Sequence, residues 1–407
     1  MLTHSYYEED PRVRREAETL VAAGRPVEVF ALRRPGDAVS GELSGVRVHR
    51  LDVQRHQGAG LRTYLSEYAA FCGRAGWAAT QSHRRRAFAL VQVHTLPDFL
   101  VFAGVHFRLA RVPLVLDLHE AMPEFFRMRF PRASNPVVHR LLVLQELAAI
   151  AAADAAITVN DALADRLVDL GVDPRKITVV LNSPDLTRFD PRRFPERAFM
   201  ADGTLRLVYA GALTPTYEID ILVEAVIDLR RRRPGLPVTL DLYGRGDADG
   251  PLRALVEARS LSGAITFHGR IPIEDVPAAI ARADLGAAPT RRSPFTDFSL
   301  STKIFEYAAM GKPVVASRLP MVERTFAAGS VATYEPGDPA GLADAILRLV
   351  DDAAAREAGV AATAERVREL SWAREGERYR ALVEGLIQRH GGAGLPGAGL
   401  SAAYPAR

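Results

Sequence analysis

The sequence predicts an α/β protein built as two domains, each around a parallel sheet. Three observations carry this. The chain has 407 residues, enough for two cores of ordinary size. Strand-like runs alternate with helical ones, and parallel strands need such crossovers. The alternation stops over residues 189–203, a stretch rich in Pro, Arg and Asp without periodicity, and then starts again. That stretch is read as the linker between a first domain, residues 1–190, and a second, residues 204–370.

In the first domain, residues 1–4 read as the end of a strand. The opening is abrupt for a buried parallel strand, so the expectation is a start a few residues late. A helix follows over 11–23 with Gly24 as its stop, then strands near 26–32 and 46–53. Residues 61–82 form a helix with Tyr64, Tyr68, Phe71 and Trp77 on or near one side. Core packing is the favoured reading, with membrane-surface contact as the alternative. A strand at 90–94 ending in His94, a helix at 96–111 and a strand at 112–118 come next. The last ends in D-L-H-E, residues 117–120. His94 and His119 both fall at carboxyl ends of strands, where open parallel sheets collect ligands. Structural, hydrogen-bonded histidines remain the alternative. Residues 125–131, FFRMRFP, read as a loop, facing acceptor or membrane or simply packed by its phenylalanines. Helix 135–153, strand 155–159, a helix capped by Asn160 and stopped by Gly171, and strand 177–181 complete the domain.

The second domain repeats the pattern, with strands expected at 205–209, 238–243, 265–268, 285–288, 313–316 and 331–334. An Ala-rich helical stretch covers 338–370 and a final helix 372–390. The Gly-, Pro- and Ala-rich tail, 391–407, is expected to be disordered.

The totals exclude several classes. Hydrophobic content is 48% and charged content 25%, ordinary for a globular protein. Net charge is +3, and the arginine clusters at 84–86, 230–233 and Arg127, Arg129 and Arg132 read as solvated faces. Nucleic acid is not implied. Cys72 stands alone, which excludes an internal disulfide and fits a reducing cytoplasm. Glu8, Glu9 and Asp10 precede any apolar run, so no secretory signal is read at the start. No stretch of about 20 apolar residues occurs, so a spanning helix is not expected.

The chemistry centres on residues 296–318. Ser301 and Thr302 suit a helix start, Gly311 its αL stop, and a strand follows. Unpaired N–H groups at such a start attract anions. Lys303 adds a cation on the first turn, and Glu306 lies on the same face. A cation and a helix start for phosphate, with a carboxylate for two sugar hydroxyls, suit a nucleoside diphosphate. An ordinary surface Lys–Glu pair is the alternative. Three glycine-bearing loops can converge there: 209–218 with Gly211, 243–250, and 268–271. The middle one, Y-G-R-G-D-A-D-G, lacks the spacing of a dinucleotide fingerprint. Asp247 and Asp249 sit in that Gly-rich turn and read as solvated carboxylates. No Cys–His spacing marks a metal site.

K-I-F-E-Y-A-A-M-G-K-P-V-V-A-S, residues 303–317, resembles the donor-site helix of the retaining GT-B glycosyltransferases of family 4. Y-E-E-D-P-R-V-R-R-E-A (7–17), D-L-H-E-A-M-P-E-F (117–125) and N-S-P-D (182–185) are similar to segments of that family too. The resemblance implies two Rossmann-like domains facing a cleft, with helix 372–390 crossing back onto the first. It implies transfer of a sugar from a nucleoside-diphosphate sugar, a substrate rather than a cofactor, with no metal. Lys303, Glu306 and His119 are the implied catalytic residues. Gly211, Ala212, Arg245, Arg270, Ile271, Ser301 and Thr302 would help bind the nucleotide sugar. Tyr6, His94, Glu120 and Asp297 are candidates for sugar or acceptor contacts. Implied partners are a glycan or lipid-linked acceptor, as in polysaccharide biosynthesis, and peripheral contact with the inner face of a membrane.

The sequence departs from the family in two places. The first glutamate of E-x7-E is replaced by Phe298, with Asp297 beside it. The Arg and Lys usual in the first loop are Ala212 and Tyr217, leaving Lys303, Arg245, Arg291 and Arg292 to meet phosphate charge. Two alternatives follow: a nucleotide-sugar epimerase using Asp297 or Glu120, and a non-catalytic glycosyltransferase-like partner.

Overall fold

The computed structural model describes residues 1–53 and 60–391. The chain divides into two units, Met1–Asn182 together with the final helix from Ala373, and Ser183–Trp372.

Unit 1 begins with β1 (Leu2–Thr3), α1 (Pro11–Ala22), β2 (Glu28–Leu32), β3 (Ser40–Leu43), β4 (Val46–Leu51) and α2 (Leu61–Arg85). It continues through β5 (Val91–His94), β6 (Leu114–Leu118), α3 (Met122–Arg129), α4 (Pro136–Ala152), β7 (Ala155–Thr158), α5 (Asp161–Asp169) and β8 (Ile177–Val179). The strands run in the order β3-β4-β2-β1-β5-β6-β7-β8. All pairings are parallel except β3 with β4. Those two are joined at Ser44 and Gly45, both with positive φ, as a two-residue hairpin requires. Sequence reading did not anticipate β3, whose Gly41 and alternating exposure carry little strand signal.

Local chemistry sets the helix ends, with Asn160, Gly24 and Gly171 acting as expected. Asp10 accepts from Val13 N with Pro11 at the first turn, and Asn160 accepts from Leu163 N. Gly24 and Gly171 take positive φ after their helices.

Three expectations need correction. Residues 96–111 form two 3₁₀ segments, Asp98–Ala103 and Val105–Ala110, rather than a helix. Pro97 opens this stretch and Gly104 presses on β6, where a Cβ would lie 2.8 Å from a Leu114 methyl. The expected loop at 125–131 is mostly α3, with Phe126 buried. Phe71 of α2 is in the core, but Trp77 is 68% exposed, so the aromatics of that helix are not one core stripe.

Unit 2 contains β9 (Leu205–Ala210), α6 (Ile219–Arg232), β10 (Val238–Tyr243), α7 (Asp249–Ala258), β11 (Ile265–Gly269), α8 (Val276–Ala281) and β12 (Leu285–Ala288). Then follow α9 (Thr302–Ala309), β13 (Val314–Ser317), α10 (Pro320–Thr325), β14 (Ala332–Tyr334), α11 (Pro339–Asp351) and α12 (Ala353–Glu369). Its sheet is parallel throughout, in the order β11-β10-β9-β12-β13-β14. Residues 189–203 are not an open tether. Phe189 is buried in the core of this unit, and Asp284 accepts from Arg197, Met200 N and Arg206 N. The unit boundary therefore falls at Asn182, before the stretch expected from composition.

The last helix, α13 (Trp372–Arg389), returns to unit 1. Glu375 accepts from Leu181 N, Glu384 pairs with Arg25, and Tyr379 reaches Gln92. The expected disordered tail, apart from Gly391, lies outside the described residues.

Candidate active site

In unit 2 the carboxyl ends of β9, β10 and β11 are laced together by backbone bonds. Gly211 N donates to Tyr243 O at 2.9 Å, Leu213 N to Arg245 O at 3.1 Å, and Gly244 N to Gly269 O at 2.8 Å. A Cβ on Gly244 would lie 1.8 Å from Gly211 O, and one on Gly246 would lie 2.2 Å from Leu213 O. The G-x-G of this loop therefore serves close approach of two chain segments.

Helix α9 is fixed over these ends from below. Tyr307, fully buried, accepts from Ala210 N at 3.1 Å and donates to Ala287 O at 3.3 Å. Its ring lies where a side chain on Gly286 would be, 2.2 Å from the Cβ position. Burial pushes the Tyr307 hydroxyl far above the ordinary tyrosine range, so it stays a donor. Ser301 is the N-cap without a side-chain capping bond, and Gly311 takes φ of 66° just past the helix.

Lys303 is thereby placed inward. It is only 6% exposed, which excludes the ordinary surface pair. A Cβ on Gly211 would fall 2.2 Å from its Cε and 2.8 Å from its Nζ, so the ammonium lies against bare backbone. The Nζ sits 3.8 Å from the centre of the Tyr217 ring and 5.2 Å from that of Tyr209. Among the described residues no ion pair to Lys303 is formed. A buried cation usually has a carboxylate; this one has aromatic faces.

The other residues expected around Lys303 are less drawn in. Glu306 is half-buried, and Ala212, Arg245 and Arg270 are exposed. Ile271 packs at the edge of the unit 2 core. Arg291 bonds to Pro215 O and Arg292 to Arg318 O, so both are engaged by their own unit. Asp297 is half-buried in a 3₁₀ turn, Thr296–Phe298.

In unit 1, β5 and β6 place His94 directly opposite Asp117. Asp117 Oδ2 accepts at 2.9 Å from His94 Nδ1 and at 3.0 Å from His119 Nε2, and Arg12 bonds both of its oxygens. The chain of contacts runs on. Arg12 meets Glu16 at 3.4 Å, Gln92 donates to Glu16 at 2.5 Å, and Tyr379 donates to Gln92 at 2.6 Å. Burial works to raise the Asp117 carboxyl, but Arg12 and the histidines overcome it and hold it well below its usual range. Glu16 goes the other way, pushed well above by burial and the Asp117 charge. Burial also lowers His94, against the pull of its carboxylate partner. His119 stays partly open, with its backbone N–H bonded to Thr95 Oγ1 at 3.0 Å. Glu120 beside it is pushed up to about 7 by burial, against the pull of His119.

His94, Asp117 and His119 offer ligand atoms within 4.8 Å of one another, a trio that sequence spacing did not show. Arg12 lies against both Asp117 oxygens, and a guanidinium there opposes a metal ion, so these residues fit a hydrogen-bonded network better. Sequence reading missed Arg12, Glu16, Gln92 and Tyr379 as members of it. The 7–17 motif contains Arg12 and Glu16, but nothing local marks their partners, 105 and 76 residues away. Tyr6, a candidate contact, stacks under the Arg34 guanidinium at 4.6 Å.

Residues 10–183 match the family described as "Glycosyl transferase 4-like domain", and residues 204–352 that described as "Glycosyl transferases group 1". The chain is 28% identical over 283 residues to a D-inositol 3-phosphate glycosyltransferase of Pseudarthrobacter chlorophenolicus, covering 67% of this chain and 66% of that protein. It spans about half to two thirds of the length of the first curated relatives it matches. Among solved structures, sucrose-phosphate synthase from Thermosynechococcus elongatus aligns with TM-score 0.76 at 20% identity, over 95% of this chain and 99% of that one. The Anabaena protein HepE in complex with UDP-glucose aligns with TM-score 0.70 at 16% identity, over 94% and 98%.

These likenesses and the two parallel-sheet units define a protein of the GT-B class. Residues 204–352 are a domain of the group 1 glycosyltransferases, and residues 10–183 a glycosyl transferase 4-like domain.

Proposed function

We propose that the protein transfers a sugar from a nucleoside-diphosphate sugar to a glycan, lipid-linked or small-molecule acceptor, with retained configuration and without a metal. The observation that carries this is Lys303, buried on the first turn of α9, against Gly211 and unneutralised among the described residues. Its ammonium and the N–H groups of the helix start meet the pyrophosphate and stabilise its departure. Glu306 accepts from the ribose hydroxyls, and Ser301, Thr302, Ala212, Arg245, Arg270 and Ile271 complete the nucleotide contacts. His119, held by Asp117, binds the sugar. The leaving phosphate takes the proton of the acceptor hydroxyl as the new glycosidic bond forms. HepE, solved with UDP-glucose, supports this donor class. No comparison favours the epimerase or the non-catalytic partner.

Nucleotide-sugar turnover in Lys303→Ala is the test. A fall of about a hundredfold is expected for loss of one charge-stabilising donor. Turnover equal to wild type would reject the assignment.

The reading includes a cytoplasmic enzyme touching a membrane surface. No helix among the described residues is long and apolar enough to cross a membrane. Val137, Leu141 and Leu144 form an exposed apolar stripe on α4, and the preceding segment carries Arg127, Arg129 and Arg132. Co-sedimentation with anionic but not neutral vesicles is expected; equal recovery in the supernatant with both would contradict it.

A further inference from the structure

We infer that Tyr217 is the positioning residue for Lys303, holding the ammonium in place while leaving its charge available to an anion. This rests on the donor-site reading above. The reasoning starts from what a buried cation needs. A carboxylate partner would hold Lys303 but cancel its charge. An aromatic face attracts the ammonium through its quadrupole and carries no net charge.

The geometry has that form. Two rings face Lys303, and they differ in kind. Tyr209 is fully buried, its hydroxyl donating to Ala212 O at 2.7 Å, and its centroid is 5.2 Å from Nζ. Tyr217 is half-buried and nearer, at 3.8 Å. The two ring centres are 6.1 Å apart and tilted by 59°. Tyr217 is itself held by a tight turn, with its N–H on Thr214 O at 3.0 Å and its carbonyl accepting from Ile219 N at 2.9 Å. With Gly211 behind the Cε, the rings close one side of the ammonium. Its remaining N–H bonds can then go to a ligand. Here Tyr217 stands where the resemblance led us to expect a lysine, so this loop meets the ammonium with a ring and not with a second cation.

Calorimetric titration with UDP, GDP and inorganic pyrophosphate tests this in four proteins: wild type, Tyr217→Phe, Tyr217→Leu and Tyr217→Glu. Phe keeps the ring and should bind within about twofold of wild type. Leu removes the quadrupole and should weaken binding about 2- to 30-fold. Glu pairs with Lys303 and should weaken it at least as much as Leu. In a Lys303→Met background, Tyr217→Leu should change affinity less than twofold. Leu or Glu variants binding like wild type, or Phe falling as far as Leu, would overturn the inference and leave the donor-site reading standing. An undiminished Leu effect in the Lys303→Met background would also overturn it. Wild type that takes up none of the three probes would overturn both.

Discussion

Arg12 in unit 1 and Lys303 in unit 2 are both buried cations, and they are treated oppositely. Arg12, 3% exposed, bonds both oxygens of Asp117 and lies 3.4 Å from Glu16. Lys303, 6% exposed, has aromatic rings and backbone around it and no ion pair among the described residues. The first charge is consumed inside its unit, and its product is a fixed His94–Asp117–His119 geometry. The second has no ion pair among the described residues, at the cost of desolvation, and sits on a helix start whose first turn carries no acidic residue. A buried charge with its counter-ion holds structure; a buried charge without one awaits a ligand.

The largest effect that could break this contrast is on stability. Arg12→Met leaves Asp117 buried with only two histidines as partners. The cost expected is about 3–5 kcal/mol, measured by denaturant unfolding. Lys303→Met, which keeps the volume, orphans no carboxylate among the described residues and should leave stability within about 1 kcal/mol of wild type. A similar loss in both variants would erase the distinction.

The smallest effect concerns Glu120, next to His119. Its carboxyl titrates near 4.5 when unfolded and about 7 when folded. Between those values the folded state holds the extra proton, so the group takes stability away as pH rises through that window. Glu120→Gln should therefore gain melting temperature relative to wild type at pH 8 but not at pH 4. An equal offset at both would show that the carboxyl titrates normally.

Much of the frame is legible in the residues. The βα rhythm gave two parallel sheets, Gly24, Gly171 and Gly311 stop their helices, and Asn160 caps α5. The candidate cation was readable because Lys303 follows a cap and precedes a glycine stop. Its burial was not. That depends on Tyr307 pressing α9 onto Gly286 and on Gly211 lacking a side chain, and Ala210 and Gly211 lie nearly a hundred residues from their partners in α9. Tyr217 read as a missing charge because spacing reports residue type and not ring orientation. Likewise the Arg12–Asp117 pair and the Tyr379 link to Gln92 exist only once the sheet brings β5 beside β6 and α13 returns. The failed helix at 96–111 is a case of Pro97 and Gly104 outweighing apolar periodicity.

Calorimetry of UDP and GDP against wild type and Lys303→Met addresses the main proposition most directly. Uptake of at least one nucleotide by wild type is expected, weakened about tenfold or more in the variant while its unfolding midpoint is held. Equal affinity in the two proteins would mean that the ammonium beside Tyr217 is not where the diphosphate goes.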